Sequence, residues 1–481
     1  MKNILYPAHS LKRTKIVATI GPASDSSKII EKLIKNGLNV ARLNFSHGTH
    51  ETHLANAQKI REASKKLGKP VAILQDLQGP KIRLGILSEE KINLKKGQIV
   101  TFYHANLQID NRIPIQVDIF PYLEKNNHIL INDGLTRLSV ISVNKQKKEA
   151  VCEVKVANPI SSKKGINLPD TKLPTMSLTQ KDIEDLKITE KLDADYVALS
   201  FVQSIDDIYA LRKILGKMAN PPKIIVKLET KEAVKNLESL IKESDAVMVA
   251  RGDLAIEIDP ENVPIVQKQV IKLARKHHTP VIIATQMLES MVNNPEPTRA
   301  EVNDVATAVL DRVDAIMLSA ETATGNYPVE AVAMQKRIIK RVEKHYHESS
   351  SNYALDALEE STDQTTGVAA AACILAHQLK ASLIIVVTSS GKTAARVASY
   401  RPTAPIIGIT DNAKTLNQLT LLWGVKAFRS PDYKTDFEIF EFAKLQITKL
   451  GYVQKGDKIV FVSGQKPHQP GSTNTISVFT I

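Results

Sequence analysis

The chain has 481 residues, of which 43% are hydrophobic and 24% are charged, a composition typical of a globular protein with about two to four domains. Its formal net charge of +13 favours anionic partners, either nucleic acid or phosphorylated metabolites. With 5% aromatic residues, no zinc-ligand spacing and no aromatic–basic RNA-binding signature, the sequence disfavours nucleic acid and favours phosphate-bearing small molecules.

The sequence also predicts the compartment in which the chain works. No run reaches the ~18 consecutive apolar residues of a membrane helix. Residues 1–22 lack the long apolar region and the small-residue cleavage site of a secretory signal. The two cysteines, Cys152 and Cys373, lie far apart, unlike the cysteines of a disulfide scaffold. We therefore expect reduced, packed cysteines, no membrane partner and a cytoplasmic location.

Short apolar runs alternate with amphipathic segments from Lys15 to Glu343. Most of the runs are followed by a helical pattern, such as Ile29–Asn36, Glu261–His277 and Pro328–His345. The eight predicted strands are Lys15–Ile20, Asn39–Asn44, Val71–Asp76, Asp195–Ser200, Lys223–Glu229, Asp245–Ala250, Pro280–Thr285 and Val313–Ser319. Eight such units predict a (β/α)8 TIM barrel over residues 1–78 and 171–345, with its active site at the carboxyl ends of the strands.

Polar side chains occupy positions at or just beyond the predicted carboxyl ends of these strands. They are Thr19, Arg42, Asn44, Ser46, His47, Asp76, Ser200, Lys227, Glu229, Asp253, Thr285, Ser319 and Glu321. A purely structural barrel would not require polar residues from so many separate strands. The pattern therefore favours an enzyme.

The stretch from Lys223 to Glu257 brings charges of both signs to this end of the barrel. Side chains alternate along a strand, so Lys227 and Glu229 emerge on the same side, and the next predicted strand delivers Asp253. One interpretation is a hard divalent cation, Mg²⁺, held by the two carboxylates, with the ammonium facing an anionic substrate. The other is a structural ion network, and these residues alone leave both open.

Residues 79–170 interrupt the barrel after its third strand. Alternating runs such as IVTFYH and TRLSVISV, with a turn at Asn132–Gly134, predict a small all-β domain inserted at the mouth of the active site. Such an insertion could be a mobile lid that excludes water during reaction. The alternative is an inert surface insertion.

A polar segment after His345 predicts a linker, and residues 346–481 predict a third domain of α/β type. Its elements are helix Thr365–Leu379, strand Leu383–Val387, strand Pro405–Ile409, helix Phe437–Lys449, strand Lys458–Val462 and strand Thr475–Phe479. The loop Thr388-Ser389-Ser390-Gly391-Lys392-Thr393 follows a predicted strand and precedes a helix predicted to open at Ala394. It is not a Walker A loop, because Val386 stands where the first glycine should be. It predicts a phosphate-binding regulatory site, with an ordinary strand-to-helix turn as the alternative.

A series of motifs runs in order along nearly the whole chain: TKIVATIGPAS, NVARLNFSHG, LQDLQGPKIRLG, NDGL, SKKGINLP, KLET, MVARGDLAIEI, ATQMLESM, PTRAEVNDVATAVLD and IMLSAETATGNYPVEAV. Together they closely resemble the pyruvate kinase family. The resemblance implies a barrel with a β-rich lid after its third strand, a C-terminal effector domain and usually a homotetramer. It also implies transfer of phosphate from phosphoenolpyruvate to ADP, which gives pyruvate and ATP in the last step of glycolysis.

The resemblance assigns roles to the charged residues of the barrel mouth. Glu229 and Asp253 would hold the Mg²⁺ or Mn²⁺ that bridges enolpyruvate and phosphate. Lys227 would neutralise charge on the transferring phosphoryl group, assisted by Arg42 and Arg83. Positioning and electrostatics of this kind account for most phosphoryl-transfer catalysis.

The resemblance also implies a site for the rest of the substrate. The backbone of Ala250, Arg251, Gly252 and Asp253, with the hydroxyl of Thr285, would seat the carboxylate. A polar network would deliver a proton to the enolate, and its members are Thr285, Ser319 and Glu321. The alternative for Thr285 is a hydroxyl that binds only backbone.

Nucleotide or phosphate contacts are implied for five residues: Arg42, Asn44, His47, Arg83 and Lys164, the last of which lies on the lid. For three of them, the alternative is a role without a ligand. His47 would only cap the helix after Gly48, and Arg83 and Lys164 would be solvated lid charges.

The sequence departs from potassium-dependent pyruvate kinases after the third strand. Those members carry Asp-Thr-Lys-Gly-Pro-Glu, where this chain has Asp76-Leu77-Gln78-Gly79-Pro80-Lys81. Leu77 removes an oxygen ligand, and the Lys81 ammonium could supply the charge that K⁺ supplies elsewhere. The same substitutions mark the K⁺-independent branch, so we expect catalysis without K⁺, although Asn44, Ser46 and Asp76 remain as a weak or vestigial site.

The C-terminal domain is compatible with more than one phosphorylated effector. The loop Thr388–Thr393 resembles the one that holds a phosphate of fructose 1,6-bisphosphate in activated members. The closing loop Ser463–Thr475 is longer and different, and it offers no clear arginine for a second phosphate. AMP or a sugar monophosphate is therefore an equal candidate.

Two other functions fit parts of the sequence. One is another Mg²⁺-dependent phosphoenolpyruvate or oxoacid barrel enzyme, against which the inserted domain with Arg83 and Lys164 argues. The other is a non-catalytic phosphosugar sensor, which would not need Lys227, Glu229 and Asp253.

Overall fold

The computed structural model describes residues 12–171, 177–349, 363–464 and 471–481. The strands in these residues are β1 Lys15–Thr19, β2 Val40–Asn44, β3 Ala72–Asp76, β4 Ile82–Arg83, β5 Ile99–His104, β6 Ile113–Ile115, β7 His128–Ile131, β8 Thr136–Asn144, β9 Glu149–Val156, β10 Gly165–Asn167, β11 Tyr196–Leu199, β12 Lys223–Leu228, β13 Ala246–Ala250, β14 Val281–Ala284, β15 Ala315–Leu318, β16 Leu383–Val387, β17 Ile406–Thr410, β18 Val425–Arg429, β19 Lys458–Gly464 and β20 Thr473–Thr480.

The α-helices of the same residues are α1 Ser27–Asn36, α2 His50–Leu67, α3 Gln180–Leu186, α4 Ile205–Leu215, α5 Lys231–Lys235, α6 Leu237–Glu243, α7 Arg251–Glu257, α8 Val263–Lys276, α9 Arg299–Leu310, α10 Ala320–Ala323, α11 Pro328–Ser349, α12 Gln364–Gln378, α13 Lys392–Ser399, α14 Ala413–Gln418 and α15 Asp436–Lys449. Short 3₁₀ turns cover Pro260–Asn262, Glu289–Val292 and Leu419–Leu421. Within the described parts of the chain, no helix is both long and apolar enough to cross a bilayer.

Eight parallel strands close into a barrel in the order β1-β15-β14-β13-β12-β11-β3-β2. Their residues are nearly all buried, because helices cover the outside of the barrel and side chains fill its interior. All eight strands predicted from the sequence are confirmed, with ends that agree to within two residues. The closed parallel barrel confirms the predicted (β/α)8 fold.

Helix boundaries follow local capping chemistry. Helix α2 starts at a Thr49 N-cap whose hydroxyl accepts the Thr52 N–H, and it ends at Gly68 in the left-handed conformation. Helix α11 extends to Ser349, four residues past its predicted end at His345. Most of the predicted linker, residues 350–362, lies outside the described part of the chain.

A seven-stranded sheet lies between β3 and α3 in the order β4-β10-β7-β8-β9-β5-β6. Its pairs are antiparallel except for β5 with β6. The turn predicted at Asn132–Gly134 is present, with positive φ at all three residues. Strands β4 and β10 lie at the two ends of the insertion in sequence and pair with each other, so both connections to the barrel leave from one corner of the sheet.

The C-terminal sheet has the order β18-β17-β16-β19-β20, with parallel neighbours except for β19 with β20. Helices α12 and α15 and strands β16, β17, β19 and β20 confirm predicted elements. The helix after the Thr388–Thr393 loop begins at Lys392, not at Ala394 as predicted, because Gly391 (φ 82°) is its N-cap. Strand β18 and helix α14 were not predicted.

The C-terminal sheet unit packs against the amino-terminal end of the barrel, opposite the predicted active site. Leu421 joins the side chains that fill the barrel interior. The Tyr196 hydroxyl donates to the Gln418 carbonyl at 2.7 Å, and Arg401 pairs with Asp314 at 2.8 Å. The length of the barrel therefore separates these contacts from the predicted active site.

Candidate active site

Lys227 lies at the centre of the charged cluster at the carboxyl end of the barrel. Its ammonium is 2.7 Å from Glu229 Oε1 and 3.5 Å from Asp76 Oδ1, and it donates to Ser200 Oγ at 2.7 Å. The side chains of both carboxylates are 1% exposed, and that of Lys227 is 12% exposed. An ion network therefore exists here, as one of the two interpretations predicted, but its second carboxylate is Asp76.

The carboxylates of this network can still accept further partners. Glu229 Oε1 and Asp76 Oδ1 both face the Lys227 ammonium, at 2.7 and 3.5 Å. A carboxylate has about four lone-pair sites. Charge pairing with Lys227 therefore leaves room for a metal ion or a ligand on the same carboxylates.

The protonation of the cluster follows from burial and charge together. Burial would lower the pKa of Lys227, but the Asp76 and Glu229 carboxylates outweigh burial and raise it above its ordinary value. Burial would raise the pKa of Asp76, but Lys227 and Arg42 hold it below its usual range. For Glu229, burial dominates and raises the pKa, with Lys227 opposing. Lys227 is therefore a permanent cation at neutral pH.

Arg42 brings a second cation to the same wall. Its Nε donates to Asp76 Oδ2 at 2.5 Å, and its Nη1 donates to Thr19 Oγ1 at 3.0 Å. Asp76 thus lies between the guanidinium and the ammonium of Lys227 and fixes both. Two cations held on one buried carboxylate can face a doubly charged phosphoryl group.

Asp253, the other predicted metal ligand, lies in the first turn of α7 with its side chain 29% exposed. Its Oδ1 is 3.9 Å from Lys81 Nζ, and its charge raises the pKa of Glu229 after the larger effects of burial and Lys227. In the described residues, no group of three or more His, Cys, Asp or Glu side chains could hold a metal. Two carboxylates fit Mg²⁺ or Mn²⁺, which keep their remaining positions for substrate oxygens and water.

The predicted carboxylate seat is formed by the start of α7 and the residue after β14. Gly252 N–H donates to Thr285 Oγ1 at 2.9 Å, and that hydroxyl donates to the Ala284 carbonyl at 2.6 Å. The Thr285 hydroxyl thus contacts backbone groups, which agrees with the alternative that it binds only backbone. Thr285 has φ 70°, a strained conformation for a β-branched residue that is typical of functional sites.

The side chain of Arg251 is held by protein groups beside this seat, where its Nη2 donates to the Thr285 carbonyl at 2.7 Å. Its Nη1 and Nη2 donate to the two carboxylate oxygens of Asp304 at 2.8 and 2.7 Å. Both terminal guanidinium nitrogens are thus engaged by protein groups, and the resemblance assigns a substrate contact to the backbone of Arg251.

Ser319 and Glu321 follow β15. The Glu321 carboxylate is hydrogen-bonded to the backbone N–H of Ser319, not to its hydroxyl. Glu321 is fully buried, and its carboxylate accepts the N–H groups of Leu288 at 3.1 Å and Ser319 at 2.7 Å. Burial raises the pKa of Glu321. Ser319 Oγ is a buried atom without a hydrogen-bond partner among the described residues, so it can accept one from a ligand or water.

The predicted nucleotide-binding residues lie between the barrel rim and the inserted sheet. The pKa of His47 is lowered by burial and then by Arg83, Arg42 and Lys81, which shows that His47 lies in a cationic environment. Arg83 donates to the Lys163 carbonyl at 3.1 Å, and the side chain of Lys164 is exposed. His47 does not cap α2, because Thr49 does, so the capping alternative is wrong.

The residues predicted for a monovalent-cation site make contacts with protein groups. Asn44 Oδ1 accepts the Ser46 N–H at 3.3 Å, and both oxygens of Asp76 face cationic side chains. Lys81 lies near Asp253 and beside Gly165, where a Cβ on that glycine would be 2.9 Å from Lys81 Cε. The ammonium therefore lies at the junction of barrel and inserted sheet.

The Thr388–Thr393 loop lies at the opposite end of the barrel. Thr388 Oγ1 accepts the Gly391 N–H at 3.0 Å, and Thr393 Oγ1 shares a hydrogen bond of 2.7 Å with Thr473. The Ser390 carbonyl accepts from Lys223, the first residue of β12, at 3.0 Å. The loop thus contacts the strand that carries Lys227, at its other end.

Three contributors were missed when candidate residues were chosen from the sequence. Ser200 lies at a predicted strand end but had no predicted role, and it contacts Lys227. Phe201 acts through its backbone N–H, and Asp304, which lies within one of the family motifs, binds Arg251. Their only signal was position directly after a predicted strand or within a family motif.

Comparisons with known proteins agree with this geometry. A family profile described as "Pyruvate kinase, barrel domain" matches residues 11–332, and one described as "Pyruvate kinase, alpha/beta domain" matches residues 366–479. Relatives named pyruvate kinase include one from Agrobacterium vitis, 42% identical over 98% of this chain and 98% of the relative. One from Thermotoga maritima is 39% identical over 98% of this chain and 100% of the relative. One from Staphylococcus saprophyticus is 40% identical over 98% of this chain and 81% of the relative.

Proposed function

The chain belongs to the pyruvate kinase family, the enzymes that transfer a phosphoryl group from phosphoenolpyruvate to ADP, and we propose that Lys227, Glu229 and Asp253 are the residues that carry out this transfer. The observation that supports the assignment is the largely buried ammonium of Lys227 at the barrel mouth, 2.7 Å from Glu229 Oε1 and 3.5 Å from Asp76 Oδ1, with the Arg42 guanidinium held on the same Asp76 carboxylate.

Glu229 and Asp253 would hold Mg²⁺ or Mn²⁺, a hard cation that supplies Lewis-acid stabilisation of the enolate and phosphate oxygens when bound. One of the two carboxylates is buried and the other is half-buried, and cations lie close to both. These oxygen donors suit a metal that shares its coordination sphere with substrate.

The chain's own residues position the phosphoryl group for in-line transfer. Lys227 and Arg42 would contact its oxygens and neutralise charge, since both are fixed on Asp76 before substrate arrives. The bond between phosphorus and the enol oxygen breaks, and a new bond forms to the terminal phosphate oxygen of ADP. Preorganised cations aimed at developing charge are the largest contribution that a protein makes to such a step.

The enolate left behind needs a proton at carbon to become pyruvate. We assign its delivery to the polar groups Thr285, Ser319 and Glu321, through which a proton from solvent would reach the enolate carbon while solvent keeps the hydroxide. The Glu321 carboxylate accepts the Ser319 N–H at 2.7 Å and so positions Ser319. The backbone of Ala250–Asp253 would seat the substrate carboxylate beside Thr285.

We also propose that residues 79–170 act as the lid, with residues 1–78 and 171–345 as the barrel domain and 346–481 as the regulatory domain. The cationic surroundings of His47 support a nucleotide phosphate between rim and lid, contacted by Asn44, His47, Arg83 and Lys164. For Lys164 the support is only its exposed position beside the paired strands β4 and β10.

A coupled assay for pyruvate tests the proposal. Pyruvate should form from phosphoenolpyruvate only when ADP and Mg²⁺ are both present. Formation without ADP would favour another oxoacid barrel enzyme, and no turnover under any condition would favour a sensor; either result would contradict the proposal.

Catalysis without K⁺ is a further proposal, and it predicts the cation dependence of turnover. In tetramethylammonium salts, added K⁺ should change kcat by less than about twofold, because the Lys81 ammonium already supplies a positive charge at the junction of barrel and inserted sheet. Lys81→Glu should lower turnover, and K⁺ should then restore part of it. A large stimulation of the unmodified enzyme by K⁺ would refute the proposal.

The Thr388–Thr393 loop is proposed to bind a phosphate of an allosteric effector, supported by its hydroxyl groups and the start of α13. Fructose 1,6-bisphosphate, AMP and a sugar monophosphate are the candidates; residues 465–470 of the closing loop lie outside the described residues. One of them should lower the KM for phosphoenolpyruvate at least about threefold, and Ser389→Glu should abolish that activation by charge repulsion. Activation that survives Ser389→Glu would place the effector elsewhere.

A homotetramer is proposed from the family resemblance and can be checked by light scattering. A cytoplasmic location is proposed because Cys152 and Cys373 are both buried and unpaired. Burial raises the pKa of both thiols, so neither is reactive. Phosphoenolpyruvate and ADP or ATP are the proposed small-molecule partners, with no role for nucleic acid or membrane.

A further inference from the structure

The two residues after β11 contact Lys227 of β12 and Glu229, which directly follows that strand. Ser200 Oγ accepts from Lys227 Nζ at 2.7 Å and donates to the Leu77 carbonyl at 2.8 Å. Phe201 N–H donates to Glu229 Oε2 at 2.9 Å. One short segment thus fixes the ammonium and the buried carboxylate together.

This segment is itself held by the chain that leads into the inserted sheet. Ser200 is 1% exposed, and Phe201 has φ 54°, a conformation that a bulky side chain adopts only when its surroundings require it. Gly79 packs directly over both residues, since a Cβ added to it would lie 2.9 Å from Phe201 Cδ2 and from Ser200 Cβ. The Gly79 N–H is in turn bonded to the buried carboxylate of Asp182 at 3.1 Å.

Apart from the Ser200 hydroxyl, the partners of the Lys227 ammonium in the described part of the chain are the carboxylates of Glu229 and Asp76. Glu229 Oε1 at 2.7 Å and Asp76 Oδ1 at 3.5 Å lie on different strands, and a lysine stem is flexible enough to move between them. The hydroxyl supplies a neutral third contact that is anchored on the Leu77 backbone. Such a contact fixes the position of the charge without competing with substrate for it.

We propose that Ser200 is a positioning residue for phosphoryl transfer: its hydroxyl holds the Lys227 ammonium in the reactive position and ties it to the Leu77 carbonyl, where the chain leaves the barrel for the inserted sheet. The inference rests on the proposed role of Lys227.

The test compares Ser200→Ala and Ser200→Cys with the unmodified enzyme. Both variants should lower kcat roughly 10- to 100-fold and change the KM for phosphoenolpyruvate less than about threefold, because a misplaced cation is felt mainly in the transition state. The thiol of Ser200→Cys fills nearly the same space but is a weak hydrogen-bonding group. A role in packing alone would therefore leave Ser200→Cys active, and this variant also decides the matter if Ser200→Ala does not fold.

Ser177→Ala is the matched control. Ser177 is also 1% exposed, and its hydroxyl donates to the Phe201 carbonyl at 3.1 Å. This hydroxyl therefore binds the same segment as Ser200 but is not bonded to Lys227. Its variant should keep kcat within about twofold. The inference is overturned if Ser200→Cys keeps kcat within twofold, if its loss is confined to KM, or if Ser177→Ala loses as much turnover. If Lys227→Met itself stays active, the proposed function fails instead.

Discussion

Replacing Lys227 with methionine should lower kcat by about 10³-fold or more, which is the largest effect of any single substitution that we expect. Methionine keeps the unbranched stem and the packing, so the main loss is the positive charge beside the transferring phosphoryl group. The pKa of Lys227 is raised by Asp76 and Glu229 against the effect of burial, so the native residue is fully charged at neutral pH. Steady-state turnover of phosphoenolpyruvate with saturating ADP and Mg²⁺ measures the loss.

Lys268→Met is the control for this substitution. Lys268 lies on α8, is 61% exposed and pairs with Asp311 at 2.6 Å. Because an exposed ion pair contributes little, Lys268→Met should change kcat by less than about twofold. Folding of Lys227→Met is checked by circular dichroism, since removal of one member of a buried charged cluster also costs stability. A folded Lys227→Met variant with more than a tenth of normal turnover would contradict the catalytic role.

Replacing Glu229 with glutamine should lower turnover about 10²- to 10³-fold and weaken Mn²⁺ binding in parallel. The amide has the shape of the carboxylate, and its oxygen can still accept the Phe201 N–H, but it carries no charge for the metal. Lys227 would also lose its closest counter-charge at 2.7 Å. Titration of Mn²⁺ by electron paramagnetic resonance, alongside turnover, separates metal binding from chemistry.

Glu238→Gln provides the comparison for the same chemical change. Glu238 is 55% exposed and pairs with Lys276 and His277, so its variant should bind Mn²⁺ and turn over as the unmodified enzyme does. If Glu229→Gln bound Mn²⁺ with unchanged affinity, the metal would have to be held by other residues.

The sequence predicted the architecture well because the barrel strands are short, continuous apolar runs. Ile224–Val226, for example, is buried on both faces and cannot be confused with an amphipathic helix. The polar residue after each run then marked the active end of the barrel. Strand β18 was missed because Lys426 and Arg429 interrupt its apolar pattern.

Contacts between side chains were the part that the sequence could not provide. Asp76 and Lys227 lie on β3 and β12, which are separated in the barrel by β11, so no local pattern pairs them. The direction of Arg251 towards Asp304 depends on its rotamer and on the packing of α9. Ser200 has a role only because the chain entering the inserted sheet passes over it.

Helix ends were also less predictable than helix positions. Helix α13 begins two residues earlier than expected because Gly391 adopts a left-handed conformation, and α11 extends to Ser349, four residues past its predicted end. Apolar periodicity locates the middle of a helix, whereas its ends depend on capping and on tertiary contacts.

The central claim is that Glu229 and Asp253 hold the divalent metal next to Lys227. A crystal structure with Mn²⁺ and oxalate, a mimic of enolpyruvate, tests it directly through the anomalous signal of manganese. We expect one peak at about 2.0–2.3 Å from a carboxylate oxygen of each residue, with oxalate completing part of the coordination sphere. A manganese peak that contacts neither carboxylate would contradict the account.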